Sequence, residues 1–324
     1  MSKFIELDTS SPVALLSSIH NRIRSLQRAG ASLRSSRRLR AGLPMVAMLA
    51  AVSLWGPSFV ATKIALREIP PFTIAFLRFF IASCFLYPLW WFSSEHTMLS
   101  ADSRRHLLLG GLIGVASYFI LENLGVQLTT AGDAALLMAA IPVICLLVEA
   151  VWFRQAIPWR RGLGIVMSIL GVFLVIGQAP ALGDQGRLLG DVLVIAAALC
   201  WAVYSLLGRT LNQYPKLTVV AHQTMYGTLM LSPFALSEIA RWQGLSWITG
   251  LSVIYLGLMC SAITYLLYNY ALKALAASQV STFLNLVPIV GVVAAMLLLG
   301  EQIQSIQILG GGVILAGVFL STRA

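Results

Sequence analysis

The chain has 324 residues, 58% of them hydrophobic and only 10% charged, with a formal net charge of +10 and a mean hydropathy of +0.85. Soluble domains carry about 25% charged residues. This composition therefore excludes a water-soluble globular protein and turns most of the surface toward lipid.

Residues 1–42 form a basic, Ser-rich leader with no acidic residue from Thr9 to Gly42. Val13, Leu15, Leu16, Ile19 and Ile23 fall near helical spacing beside Arg22 and Arg24, a pattern suited to an anionic membrane surface. A disordered tail and an organelle transit peptide are the other readings. No secretory signal is evident, because Arg-rich sequence separates the start from the first long apolar run. Ten apolar runs follow, each about the length that crosses a bilayer. They are expected at 43–66, 71–93, 106–124, 130–153, 161–178, 188–208, 217–236, 247–270, 278–298 and 303–321. Pro70-Pro71, Pro158, residues 179–187 and Tyr214-Pro215 read as turns between them.

With a cytoplasmic N-terminus, 17 of the 22 Lys and Arg residues fall on inner segments, Arg209 and Lys216 among them. Only Lys63, Arg67, Arg187 and Arg241 fall at outer ends, and Arg78 lies inside a span. Positive loops stay in the cytoplasm, so both termini are assigned there and the protein to the inner cell membrane. The +10 charge follows this topology and is not a nucleic-acid signal.

Slid along itself by 146 residues, the sequence matches itself. Trp55 falls on Trp201, Gly111 on Gly257, Asn123 on Asn269, Pro142 on Pro288, Gly164 on Gly310, and Gly171-Val172-Phe173-Leu174 on Gly317-Val318-Phe319-Leu320. The expected fold is an all-α integral membrane protein of ten transmembrane helices in two five-helix repeats, 43–178 and 188–321. An odd number of spans inverts the second repeat, an arrangement typical of secondary transporters.

Ionisable and aromatic groups inside the membrane are costly or unusual, and they mark the expected substrate pathway. Arg78 is the strongest candidate, and a planar cation in low dielectric suits a carboxylate. Tyr118 and Glu122 share one helix face, and Glu122 is placed to meet Lys63 or Asp133 at the outer mouth. Trp55 and Trp201 stand mid-span, away from the interfacial belt that explains most other tryptophans. Glu149, the patch His222, Gln223, Thr224 and Tyr226, the group Tyr265, Tyr268 and Asn269, and Asn123, Tyr204 and Asn285 complete the set. Snorkelling is the alternative for Lys63, and a structural ion pair for Arg78 and Glu149. Pro142 and Pro288 are expected to kink spans four and nine. The glycines at 164, 171, 310 and 317 suit close helix packing.

Cysteines 84, 145, 200 and 260 form no close pair, so neither a disulfide nor a metal site is expected. The chain has no His-Glu-x-x-His, Gly-x-Ser-x-Gly or phosphate-loop motif, so no enzyme and no cofactor are expected.

Trp55-Gly56-Pro57-Ser58-Phe59-Val60, Lys63, Leu77-Arg78-Phe79, Asn123, Pro142, Gly190-Asp191, Cys200-Trp201-Ala202-Val203-Tyr204, Asn269, Pro288 and Gly300-Glu301 together resemble the drug/metabolite transporter (DMT) superfamily, of the EamA type. The resemblance covers nearly everything after residue 42. It implies two inverted five-helix repeats, a central substrate cavity and alternating access. It also implies export of amino acids or other small metabolites. Two positions depart from the pattern: Arg154-Gln155 stands where the second repeat has Gly300-Glu301, and Ser58 stands where the family often has Asn. The expected partners are a small-molecule substrate and the bilayer, with protons a candidate coupling ion through Glu122, Glu149 or His222. A non-transporting accessory subunit is the alternative.

Overall fold

The computed structural model describes residues 42–93, 99–176, 185–242, 244–275, 280 and 283–323. The leader 1–41, most of the join at 179–187 and much of the start of the ninth span lie outside the described residues. The described residues are helical, with no strand among them. In chain order the helices are α1 (Gly42–Ala65), α2 (Pro71–Trp91), α3 (Ala101–Leu128), α4 in two arms (Ala131–Met138 and Ile141–Phe153), α5 (Trp159–Ile176), α6 (Gln185–Leu211), α7 (Lys216–Ser237), α8 (Trp247–Ala274), α9 (Val287–Leu299) and α10 (Ser305–Arg323).

Local chemistry sets the boundaries. Pro70 and Pro71 open α2, where a missing N–H costs nothing. Ser100, Thr130 and Ser246 cap α3, α4 and α8, each accepting from the backbone N–H three residues on. α9 ends in Gly300 at φ 68°, a left-handed conformation that glycine adopts without strain. Arg154 ends α4 at φ 51°, so the position 146 residues earlier uses the same turn without glycine.

Among the described residues, seven helices are long and apolar enough to cross a bilayer, or eight if the two arms of α4 are one span. This is fewer than the ten expected. α7 falls short because its buried face carries Thr218, His222, Gln223, Thr224 and Thr228. α9 is a short apolar helix, described only from Val287 onward.

The helices pack as one unit over Ala47–Ala324. α5 lies along α10, α2 along α7, and α4 against α9, while α6 packs on α3 and α8 on α1. The α5–α10 contact is antiparallel. A Cβ on Gly164 would come 2.6 Å from the Gly317 carbonyl, and one on Gly171 would come 2.6 Å from the Gly310 carbonyl. Between lipid-facing helices, contact of this closeness supplies the packing that hydrophobic burial cannot.

Two irregularities recur at the same offset. α3 carries a π-helical stretch at Gly111–Ser117 and α8 one at Tyr255–Ile263. α4 is bent by 43° between its arms, with Pro142 opening the second arm. Pro288 likewise opens α9, after a turn at 285–286. Each proline sits where its missing N–H is harmless, so it follows the break and does not interrupt a continuous helix.

Candidate functional site

A cavity of about 420 Å³ lies among α1–α4 and α6–α9. It runs out at one end of the bundle among Ser205, Arg209 and Asn212, all exposed. This is called the near end, and the opposite end the far end.

Arg78 stands at the cavity floor, 4% exposed. Its Nε donates to Ser261 Oγ at 2.6 Å, and its guanidinium lies 4.4 Å from the centre of the Phe119 ring. The π-helical stretch of α8 brings Ser261 there. Ser261 Oγ and Thr264 Oγ1 each donate to the carbonyl five residues back, a reach that belongs to the wider turn. Gly257 permits the approach, since a Cβ there would meet the Arg78 carbonyl at 2.9 Å. Glu122 faces Arg78 across 3.9 Å, too far for a hydrogen bond. Tyr118 donates to Glu122 Oε1 at 3.0 Å, while Oε2 is buried with no hydrogen-bond partner. A guanidinium and a carboxylate thus stand side by side at the cavity floor, each with hydrogen-bonding capacity unused.

Aromatic rings form the walls. Trp201 stands 5.4 Å from both Tyr118 and Tyr204. Trp55 stands 5.7 Å from Tyr265 and Tyr268, and its Nε1 donates to the Cys260 carbonyl at 2.9 Å. Tyr204 donates to Gln223 Oε1 at 3.1 Å. Asn269, Asn285, Pro142 and Pro288 also line the cavity.

The other expected pathway residues lie elsewhere. Glu122 meets neither Lys63 nor Asp133. Lys63 Nζ instead donates to the carbonyls of Val126, Gln127 and Thr129, where α3 ends. Asn123 donates to the Pro71 carbonyl at 2.9 Å and ties α3 to the start of α2. His222 is buried behind the cavity wall, 4.5 Å from Trp90, with Nδ1 2.8 Å from the Thr218 carbonyl; Tyr226 lies beside it. Glu149 is engaged by Arg209 through two hydrogen bonds of 2.8 and 2.9 Å.

The far end is sealed by charge and helix termini together. Glu301 accepts from the N–H groups of Ala131 and Gly132, the first of α4. Glu238 accepts from Thr73 at the start of α2, and Glu68 from the N–H of Ser246 at the start of α8. Carboxylates at helix N-termini and the Lys63 ammonium at a C-terminus both complement the helix dipole. Asp133 is buried against Arg187, Thr129 and Gln307, and Asp191 accepts from Thr129. Sequence reasoning missed Ser261 and Phe119 as site residues. It read Arg209 only as a loop cation, although the 146-residue offset sets it on Lys63. Among the described residues no His, Cys, Asp and Glu group could hold a metal ion.

The model of the EamA-like transporter family matches this chain twice, over residues 42–177 and 188–323. An uncharacterised transporter of Archaeoglobus fulgidus is 32% identical over 83% of this chain and 93% of its own length. A probable terminal-alkyne amino-acid exporter of Streptantibioticus cattleyicolor is 31% identical over 67% of this chain and 72% of its own length. A probable amino-acid metabolite efflux pump of Escherichia coli is 27% identical over 85% of this chain and 93% of its own length. One solved crystal structure superposes with a TM-score of 0.60 at 18% identity, covering 86% of this chain and 97% of the other.

Proposed function

The chain belongs to the EamA-like transporter family, and on that premise we propose that this multi-pass membrane transporter exports a small amino-acid-like metabolite by alternating access. The observation that carries the reading is Arg78, a buried cation at the floor of a cavity that runs out among Ser205, Arg209 and Asn212. In low dielectric its guanidinium fork suits a carboxylate, and Glu122 beside it suits an ammonium group. The aromatic walls of Trp55, Trp201, Tyr118 and Tyr268 accept an apolar side chain. The names of two relatives, an amino-acid exporter and an amino-acid metabolite efflux pump, favour the same substrate class.

The proposed topology has ten spans, with α7 and α9 as the ninth and tenth to be counted. Residues 43–178 and 188–321 form two inverted repeats, and 1–42 a cytoplasmic tail. Two contacts support the inversion: Gly164 meets Gly317 and Gly171 meets Gly310, so each glycine touches the counterpart of the other. The near end is assigned to the cytoplasm because Arg209 and Lys216 lie there with most of the basic residues. The breaks before Pro142 and Pro288 are the flexing points of α4 and α9.

Counterflow into proteoliposomes with a panel of radiolabelled amino acids tests the proposal. At least one should exchange, and Arg78→Gln should abolish exchange while the protein stays monodisperse. No exchange across the panel, or full exchange by the variant, would refute it.

A further inference from the structure

At the far end, Lys63 closes the bundle by seating its ammonium on the carbonyls of Val126, Gln127 and Thr129. A helix leaves its last four carbonyls without partners and carries partial negative charge there, so a cation from another helix docks readily. The 146-residue offset sets Lys63 on Arg209, Val126 on Leu272 and Thr129 on Leu275. Leu275 ends α8 as Thr129 ends α3. Both are extended C-caps, with φ of −106° and −103°, and each donates to the carbonyl four residues back at 2.8 Å. Arg209 and Leu272 line the same cavity. Among the described residues, no side chain donates to the Leu272 or Leu275 carbonyl. Glu149 of α4 holds Arg209 through both carboxylate oxygens. The offset sets Glu149 on Ala295, so Lys63 has no carboxylate at the matching position, and the nearby Glu301 is held by the N–H groups of Ala131 and Gly132.

We infer that Arg209 is the near-end gate residue: it leaves Glu149 and seats on the carbonyls of Leu272 and Leu275 when the near end closes, as Lys63 lets go at the far end. The inference rests on the alternating-access reading. Glu149 is then a competitor that holds the near end open, and not a strut. Loss of Glu149 therefore favours the closed near end, and loss of Arg209 on that background, where only the carbonyl seat remains to be lost, favours the open one; a merely structural ion pair would show no further response to the second loss.

The test uses the full chain in lipid nanodiscs, with the four native cysteines replaced by alanine. Ser205→Cys reports opening at the near end. Thr62→Cys, at a position 2% exposed on the far side of the floor, reports opening at the far end. Labelling rates with a hydrophilic maleimide are the readout. Glu149→Gln should slow Ser205→Cys labelling and speed Thr62→Cys labelling by about two- to fivefold, the range expected from an exposed ion pair. Adding Arg209→Gln to Glu149→Gln should reverse both shifts. Arg209→Lys should track the parent, because lysine serves at the far end. Hydrogen–deuterium exchange over 60–68 and 203–216 in the native-cysteine protein gives the same readout without reporters. No shift on Glu149→Gln, or no reversal on adding Arg209→Gln to it, overturns the inference. Reporters that rise and fall together in every background overturn alternating access itself.

Discussion

Arg78 shows how a single residue is made tolerable inside a membrane. A buried cation is expensive unless it is paired and solvated by fixed dipoles. Here Ser261 supplies a hydrogen bond, Phe119 a ring face and Glu122 an opposite charge. None of the three uses the guanidinium fork fully, so a ligand carboxylate gains where water is excluded. Arg78→Lys keeps the charge and loses the fork. Initial counterflow rates should fall by about tenfold or more. Ser261→Ala only removes the bond that aims Arg78. It should raise KM severalfold and leave the maximal rate near that of the parent. A larger fall in Ser261→Ala than in Arg78→Lys would contradict these roles.

At the scale of elements, helix ends do the joining. Glu68, Glu238 and Glu301 each accept at an N-terminus belonging to another helix, so breaking one link loosens two elements together. Glu68 lies in the connection between α1 and α2, and the Ser246 N–H holds its carboxyl below the usual carboxylate range. A carboxylate whose folded value is depressed contributes stability above its ordinary range, and that stability is lost as pH falls through the lowered value. The melting temperature of Glu68→Gln in detergent should therefore lie below that of the parent at neutral and mildly acidic pH. The two should converge only in strong acid. A difference that grew with acidification would contradict the link.

At the scale of the whole molecule, the glycine contacts make α5 and α10 a fixed pair. Ser168 Oγ also donates to the Ile314 carbonyl at 3.0 Å. A covalent cross-link between residues 168 and 314 should leave counterflow unchanged, because nothing in the proposed cycle separates these helices; loss of exchange on cross-linking would show that they move. Much of this plan was legible in the sequence. The 146-residue offset, the midplane tryptophans and the in-membrane Arg78 are all one-dimensional signals. The widened turns were not legible, because a π-helical stretch has the same hydrophobic content as an α-helical one. Ser261 was therefore not assigned to the site. Glu122 was assigned to the wrong partners, because helix rotation decides which faces meet and spacing along one helix does not report it. α7 was expected as a span on its overall apolarity. Its buried polar row, from Thr218 to Thr228, shows that this face turns inward and not to lipid.

The two ends of the bundle are not equally furnished. Glu301 holds the first N–H groups of α4 with a full charge, while its counterpart under the offset is the neutral and exposed Gln155. Under the proposed alternating access, a carrier with one strong clasp and one weak one rests with the weak side ajar, already receptive to cargo from that side when a molecule arrives.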